Sequence, residues 1–185
     1  MIPDNSITTT ESQKQSTIPT TKDTQTQPQC PTDDSRYGLM DGRCVYFEQV
    51  RLTYEEAIEN CHEKLETFGG GVLYEPNSTH ELKRIMKMGY GLSSTMSLSK
   101  GVWWYWIGVT DIANEGQFTY NSSNQTINFN PEWVPHSQTQ KWGSRGPSYN
   151  CVTVVTGYPL DSKRFAKLGE FACNKIKKSI CWSIS

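Results

Sequence analysis

Apolar positions recur along the chain with two different periods. Tyr54, Ala57, Ile58, Cys61 and Leu65 are spaced by threes and fours, which puts their side chains on one face of a helix. Thr53-Tyr54-Glu55-Glu56 opens this run as a capping box, and Gly69-Gly70-Gly71 closes it, glycine being the residue that most readily ends a helix in the left-handed region. The spacing predicts a first helix near 54–66. Val72-Leu73-Tyr74 reads as a short strand. Ser78-Thr79-His80-Glu81 is a second capping box ahead of Leu82, Ile85 and Met86, which predicts a second helix near 79–88.

After a polar, Gly/Ser-rich stretch the pattern changes. Val102 to Val109 is a dense aromatic and β-branched run, suited to a buried strand and too short to cross a bilayer. Further strand signals fall at Gln117–Tyr120, Ile127–Phe129, Cys151–Val155, Phe171–Cys173 and Ser179–Trp182, separated by Gly, Asn and Pro turns. Two helices early and strands late predict an α+β domain.

Composition divides the chain of 185 residues in two. Residues 1–29 contain no aromatic residue and are dominated by Thr, Ser and Gln with scattered Pro. Such a segment buries too little apolar surface to offset the entropy of ordering it, so a disordered stalk is expected. It has the composition of an O-glycosylated stem, although an unmodified flexible leader fits equally. The folded unit is expected over 30–182, with a tail at 183–185.

The net charge of -1 provides no basic field to gather phosphates, and nucleic-acid binding is not expected. All six cysteines lie between Cys30 and Cys181, with no C-x-x-C pair of a zinc ribbon or redox motif. Three disulfides are the natural reading, and the sequence leaves their pairing open among many alternatives. Disulfides persist in oxidising compartments, and N-x-S/T sequons at Asn77, Asn121 and Asn124 agree with that. A secreted or extracellular protein is expected. Met1-Ile2-Pro3-Asp4 begins no secretory signal, so the expectation is that the true start lies upstream of this chain. No stretch is long and apolar enough for a membrane span.

Catalytic signatures are missing. His62, His80 and His136 form no H-E-x-x-H pair, no G-x-S-x-G elbow occurs, and Gly69-Gly70-Gly71 lacks the Gly-Lys-Ser/Thr of a phosphate loop. An enzyme is not expected.

From Cys30 to Cys181 the order of motifs resembles a long-form C-type lectin-like domain. The resemblance is carried by Cys30-Pro31, Cys44-Val45-Tyr46-Phe47, Leu52-Thr53-Tyr54-Glu55-Glu56-Ala57 with Cys61, and Trp106-Ile107-Gly108-Val109. Gly116-Gln117-Phe118-Thr119-Tyr120, Trp133, Trp142, Cys151-Val152-Thr153-Val154, Cys173 and Ser179-Ile180-Cys181 complete it. It implies two helices flanking small antiparallel sheets, with a long loop region opposite the joined termini. It also implies the pairings Cys30–Cys44, Cys61–Cys181 and Cys151–Cys173, and recognition of a glycan or a protein ligand.

In sugar-binding members of that family, a Glu-Pro-Asn or Gln-Pro-Asp loop and a following Asn-Asp hold a calcium ion that bridges to sugar hydroxyls. Calcium takes about six to eight oxygen ligands, with carboxylates supplying most of the charge. Here the matching loop reads Gly146-Pro147-Ser148, and Leu168-Gly169-Glu170 stands where the family has Trp-Asn-Asp. Pro147 keeps the motif's proline and Glu170 is its one remaining donor. Between Asn130 and Cys151 the sole carboxylate is Glu132, so the usual calcium–sugar site is not expected and no cofactor is called. Glu75-Pro76-Asn77 spells the sugar triplet but precedes the Trp106 strand, where a turn carrying a sequon is the better account. Asp111-Ile112-Ala113-Asn114-Glu115-Gly116 is similar to a collectin segment, leaving Asp111 and Glu115 as candidates for an auxiliary calcium ion beside the plainer reading of a solvated turn.

Trp133 and Trp142, with Tyr149 and His136, lie in the segment that would form the long loop. Aromatic faces there suit sugars or protein partners, while Trp133 also suits the core. Lys163-Arg164 and Lys175, Lys177 and Lys178 are cationic clusters suited to sulfated or sialylated glycans, or else to plain solvated surface.

Overall fold

The computed structural model describes residues 29–95, 102–134, 148–157 and 165–184. In chain order it contains β1 (Tyr37–Met40), β2 (Arg43–Leu52), α1 (Tyr54–Lys64), a 3-10 turn (Glu66–Phe68), β3 (Gly71–Leu73), α2 (Thr79–Thr95), β4 (Val102–Thr110), β5 (Thr119–Tyr120), β6 (Cys151–Gly157), β7 (Lys167–Phe171) and β8 (Lys177–Ser183). The expected stalk, apart from Gln29, lies outside these residues. Among the described residues no helix is long and apolar enough to cross a membrane.

The first capping box forms in full and the second in half. Thr53 accepts from the Glu56 amide while the Glu56 carboxylate accepts from Thr53 N–H at 2.8 Å. Ser78 Oγ accepts from the Glu81 amide at 3.1 Å, but the Glu81 carboxylate reaches one residue further back, to Asn77 N–H. The second helix runs well past the expected residue 88, through Gly89 and Gly91 to Thr95. Gly89 is a packing device here, since a Cβ at this position would sit 2.6 Å from Cε1 of Phe47. A glycine that reads as a helix breaker in sequence thus lets α2 lie close against β2.

The strands join in one mixed sheet in the order β1-β2-β8-β4-β6-β7, with β3 added to β8 and β5 to β4. The implied small antiparallel sheets are therefore continuous, linked by the parallel pairing of β4 with β8 at Tyr105–Lys178 and Trp106–Ser179. The first hairpin, β1–β2, has no counterpart among the predicted strands. It turns at Asp41-Gly42, both with positive φ, as a tight hairpin turn requires. Ile127–Phe129 forms no strand, only an Ile127 N–H bond to Phe118 O beside a single bridge at Thr119–Thr126. The strand expected at 171–173 sits earlier, at Lys167–Phe171, because the chain leaves the ladder to turn at Ala172–Lys175, and Cys173 O caps α1 through Tyr54 N–H. β8 continues through buried Ser183, one residue past the expected boundary.

Strand alternation sends side chains to opposite faces, and each face carries a helix. Val45, Phe47, Tyr105, Ile107, Val109 and Ile180 pack with Leu82, Ile85 and Met86 of α2. Tyr46, Trp106 and Cys181 pack with Tyr54, Ala57, Cys61 and Leu65 of the α1 segment. Trp106 is fully buried, meets Tyr54 edge-on at 5.5 Å, and donates its indole N–H to Leu52 O at 2.9 Å.

The three disulfides are Cys30–Cys44, Cys61–Cys181 and Cys151–Cys173, the pairing the resemblance implied. Cys61–Cys181 spans 120 residues, and closing so long a loop restricts the unfolded chain most. Replacing both cysteines by alanine is expected to cost about 4–5 kcal/mol of unfolding free energy in a denaturant titration, more than the same change at Cys30–Cys44.

Candidate functional site

The long excursion after β4 leaves and rejoins the sheet at one point. Thr110 pairs with Cys151, Thr110 Oγ1 donates to Asn150 O at 2.7 Å, and Asp111 N–H donates to the same carbonyl at 3.2 Å. Asp111 is buried, and its Oδ2 accepts from Gly116 N–H at 2.8 Å, closing the turn that Asp111 and Glu115 share. Burial raises the Asp111 pKa, partly opposed by that bond. The inward carboxylate thus shapes the turn, while Glu115 is exposed.

Trp133 is half-buried, packed 4.9 Å from Phe118 and bridged to Leu168. It serves the core edge at least as much as the surface. Tyr149 is half-buried just ahead of β6, and Glu170 is buried on β7 opposite Val152. Glu132 lies 3.3 Å from Lys167 and 3.8 Å from Lys83. His136, Trp142, Pro147, Lys163 and Arg164 lie outside the described residues. Among the described residues no three His, Cys, Asp or Glu side chains gather as a metal site.

Glu75-Pro76-Asn77 is the turn between β3 and α2. Glu75 accepts from Ser122 N–H and Ser122 Oγ, each at 2.7 Å, and Pro76 O accepts from Tyr120 OH at 2.8 Å. The triplet therefore ties the turn to the hairpin that follows β4. A Cβ on Gly108 would lie 2.7 Å from Glu75 Cγ and from Leu73 O, so the Trp-Ile-Gly glycine exists to admit this turn.

Three surface depressions stand out. One of about 630 Å³ is lined by Arg43, Glu75, Asn77, Tyr120, Ser122 and Trp182, among others. It merges through Arg43, Asn77 and Trp182 into a second of about 400 Å³ that reaches Asp41 and Arg84. The Arg43 guanidinium lies 4.2 Å over the Trp182 ring. Asn77 lines this cleft, and the sequons at Asn121 and Asn124 sit on the turn whose Ser122, Ser123 and Gln125 form its other wall. The third, of about 230 Å³, is lined by Arg51, Trp103, Trp104, Ile176, Lys177 and Lys178. Of these, only Lys177 and Lys178 stand out in the sequence as surface candidates. Trp103 and Trp104 read there as part of a buried strand, and nothing local marks Arg51.

A family model described as "Lectin C-type domain" matches residues 50–183. The chain belongs to this family. The carbohydrate-recognition domain of the mouse scavenger receptor C-type lectin superposes on this C-type lectin domain with a TM-score of 0.56 at 22% identity, covering 83% of this chain and 97% of that one. Human lithostathine gives 0.59 at 19% identity, covering 92% and 98%. A calcium-independent type II antifreeze protein gives 0.56 at 22% identity, covering 83% and 92%. These likenesses establish the fold. No curated protein gives a significant match.

Glu75 provides a test of the turn. Burial raises its pKa above the usual carboxylate range; the folded state therefore holds this proton more tightly, and the corresponding stability is lost as pH rises through the folded pKa. Glu75→Gln should flatten that part of the stability–pH profile and stay close to the parent at pH 7, whereas Glu75→Ala should cost about 0.5–1.5 kcal/mol by removing the acceptor that holds the exposed Ser122, both read from urea melts.

Proposed function

We propose that this C-type lectin domain is an extracellular recognition module, non-enzymatic, that binds a glycan without a calcium ion in the long loop. The observation that carries this reading is the state of Glu132. It is the one carboxylate between Asn130 and Cys151, and it faces the lysines Lys167 and Lys83. A calcium site needs several converging oxygens, and a carboxylate held by two cations is poorly placed to start one. Asp111 is buried with one oxygen, Oδ2, accepting from the Gly116 amide, and among the described residues no group of three metal-ligating side chains forms around it. A protein described as calcium-independent shares the fold, which supports a scaffold that stands without the ion.

The three disulfides and the sequons support an oxidising, extracellular setting. Glycans attached at Asn77, Asn121 and Asn124 would flank the Arg43–Trp182 cleft and cover it, leaving ligand recognition to other faces. A protein ligand is the second reading, and the same experiment separates the two.

Calcium titrated into the oxidised chain by calorimetry should give no heat, and the melting temperature should be the same with the ion or with a chelator. A glycan array read under both conditions should give the same pattern. Chelator-sensitive sugar binding would defeat the proposal, and an array without any signal would move the assignment to a protein ligand.

A further inference from the structure

The third depression sits where β2 ends and β4 and β8 begin. Leu52 of β2 pairs with Lys177 of β8, and Tyr105 of β4 pairs with Lys178. Arg51 arrives there through an irregularity in β2, whose register shifts between Glu48 and Leu52. The buried Glu48 carboxylate supports the bend, accepting from Gln49 N–H at 2.7 Å and Val50 N–H at 2.8 Å. Bulges of this kind re-aim side chains at the margin of a sheet.

The result is an unneutralised cluster of cations. Four other cations meet acids: Arg36 with Asp34, Arg84 with Asp41, and Lys83 and Lys167 with Glu132. Among the described residues no carboxylate pairs with Arg51, Lys177 or Lys178. The Lys178 ammonium is buried, bonded to Gln49 Oε1 at 2.7 Å and 4.0 Å over the Trp103 ring. Lys177 lies 4.0 Å over Phe171. Burial lowers the pKa of both lysines, and the neighbouring Arg51 charge lowers them further, with Lys175 adding to the effect on Lys177. An anion here would relieve repulsion already present in the fold. Beside the cations, Trp104 stands half-buried against Gly169, where a Cβ would come 2.6 Å from the ring, and meets Phe171 edge-on at 5.0 Å. Its indole is therefore held in place and still partly open.

We propose that this groove binds an acidic sugar, with the sulfate or carboxylate held between Arg51 and Lys177 and the sugar ring against Trp104. The proposal rests on the calcium-independent glycan reading and gives it a place and a ligand class. An Arg fork beside a Lys ammonium suits an oxyanion, and an indole face suits the apolar side of a sugar ring. A volume of about 230 Å³ is smaller than a typical drug-sized pocket and fits a single ring.

The test uses the full oxidised chain, with a heparin-derived sulfated oligosaccharide, sialyllactose and neutral lactose as probes, each in calcium and in chelator. Titration should shift the indole N–H resonances of Trp103 and Trp104 with an acidic probe and leave them unmoved with lactose. Which acidic probe acts decides between sulfate and carboxylate. Arg51→Gln with Lys177→Gln should weaken binding at least about tenfold by removing two charge-assisted contacts, while Lys83→Gln with Lys87→Gln on α2 should leave it unchanged. Equal losses in the two double variants, or acidic-sugar binding that leaves both indole signals still, would overturn the groove. Failure of both acidic probes to bind would overturn it as well. If the chelator abolishes sugar binding, the calcium-independent reading falls instead; chelator-resistant binding at other residues would defeat the groove alone.

Discussion

β8 is the strand on which the two halves of the domain depend. One of its edges takes β2, the other takes β3 and then β4, and Cys181 on it is bonded to Cys61 of α1. Pairing with β4 is parallel, which requires the chain to travel away and return before the strands can meet. The entropy of that closure is large, and it is offset by burial on both faces of the sheet at once. Ile180 faces the α2 side while Cys181 faces the α1 side. A polar replacement at either position would therefore strike a layer shared by a helix and several strands.

The same closure creates the surface features that matter for recognition. Where β2 ends and β4 and β8 begin, an irregularity in β2 delivers Arg51 beside Lys177, Lys178 and two tryptophans. Where β4 gives way to the long excursion, Asp111 and Asn150 hold the entry and exit together, Asp111 Oδ2 closes the turn onto Gly116, and Glu132 pairs with Lys167 and Lys83. The scaffold of this C-type lectin domain is thus secured by disulfides and a two-faced core.

Much of this was legible in the chain. The helical spacing from Tyr54 to Leu65, both capping boxes and the Val102–Val109 run correspond to α1, α2 and β4, since each signal is local and acts within a few residues. The Glu75-Pro76-Asn77 triplet also reads correctly as a turn, because its place before the Trp106 strand is a matter of order alone. Two of the misses have non-local causes, and one is a local signal left unread. Gly89 looks like a helix breaker until Phe47, far away in sequence, is seen to need its missing Cβ. The β1–β2 hairpin was passed over although Asp41-Gly42 announces it, and Ile127–Phe129 lacks a partner strand despite its β-branched and aromatic character.

Residue types and their spacing were enough to establish the α+β class and the place of its two helices and central strand, because composition and periodicity are properties of the chain alone. Register was not. Which residue of β2 faces Lys177, whether Trp103 and Trp104 are sealed or half-open, and which acids are already paired depend on strands separated by more than a hundred positions. A register shift between Glu48 and Leu52 alters which side chains reach the surface, so the groove of Arg51 and its neighbours exists only once β2, β4 and β8 have been brought side by side.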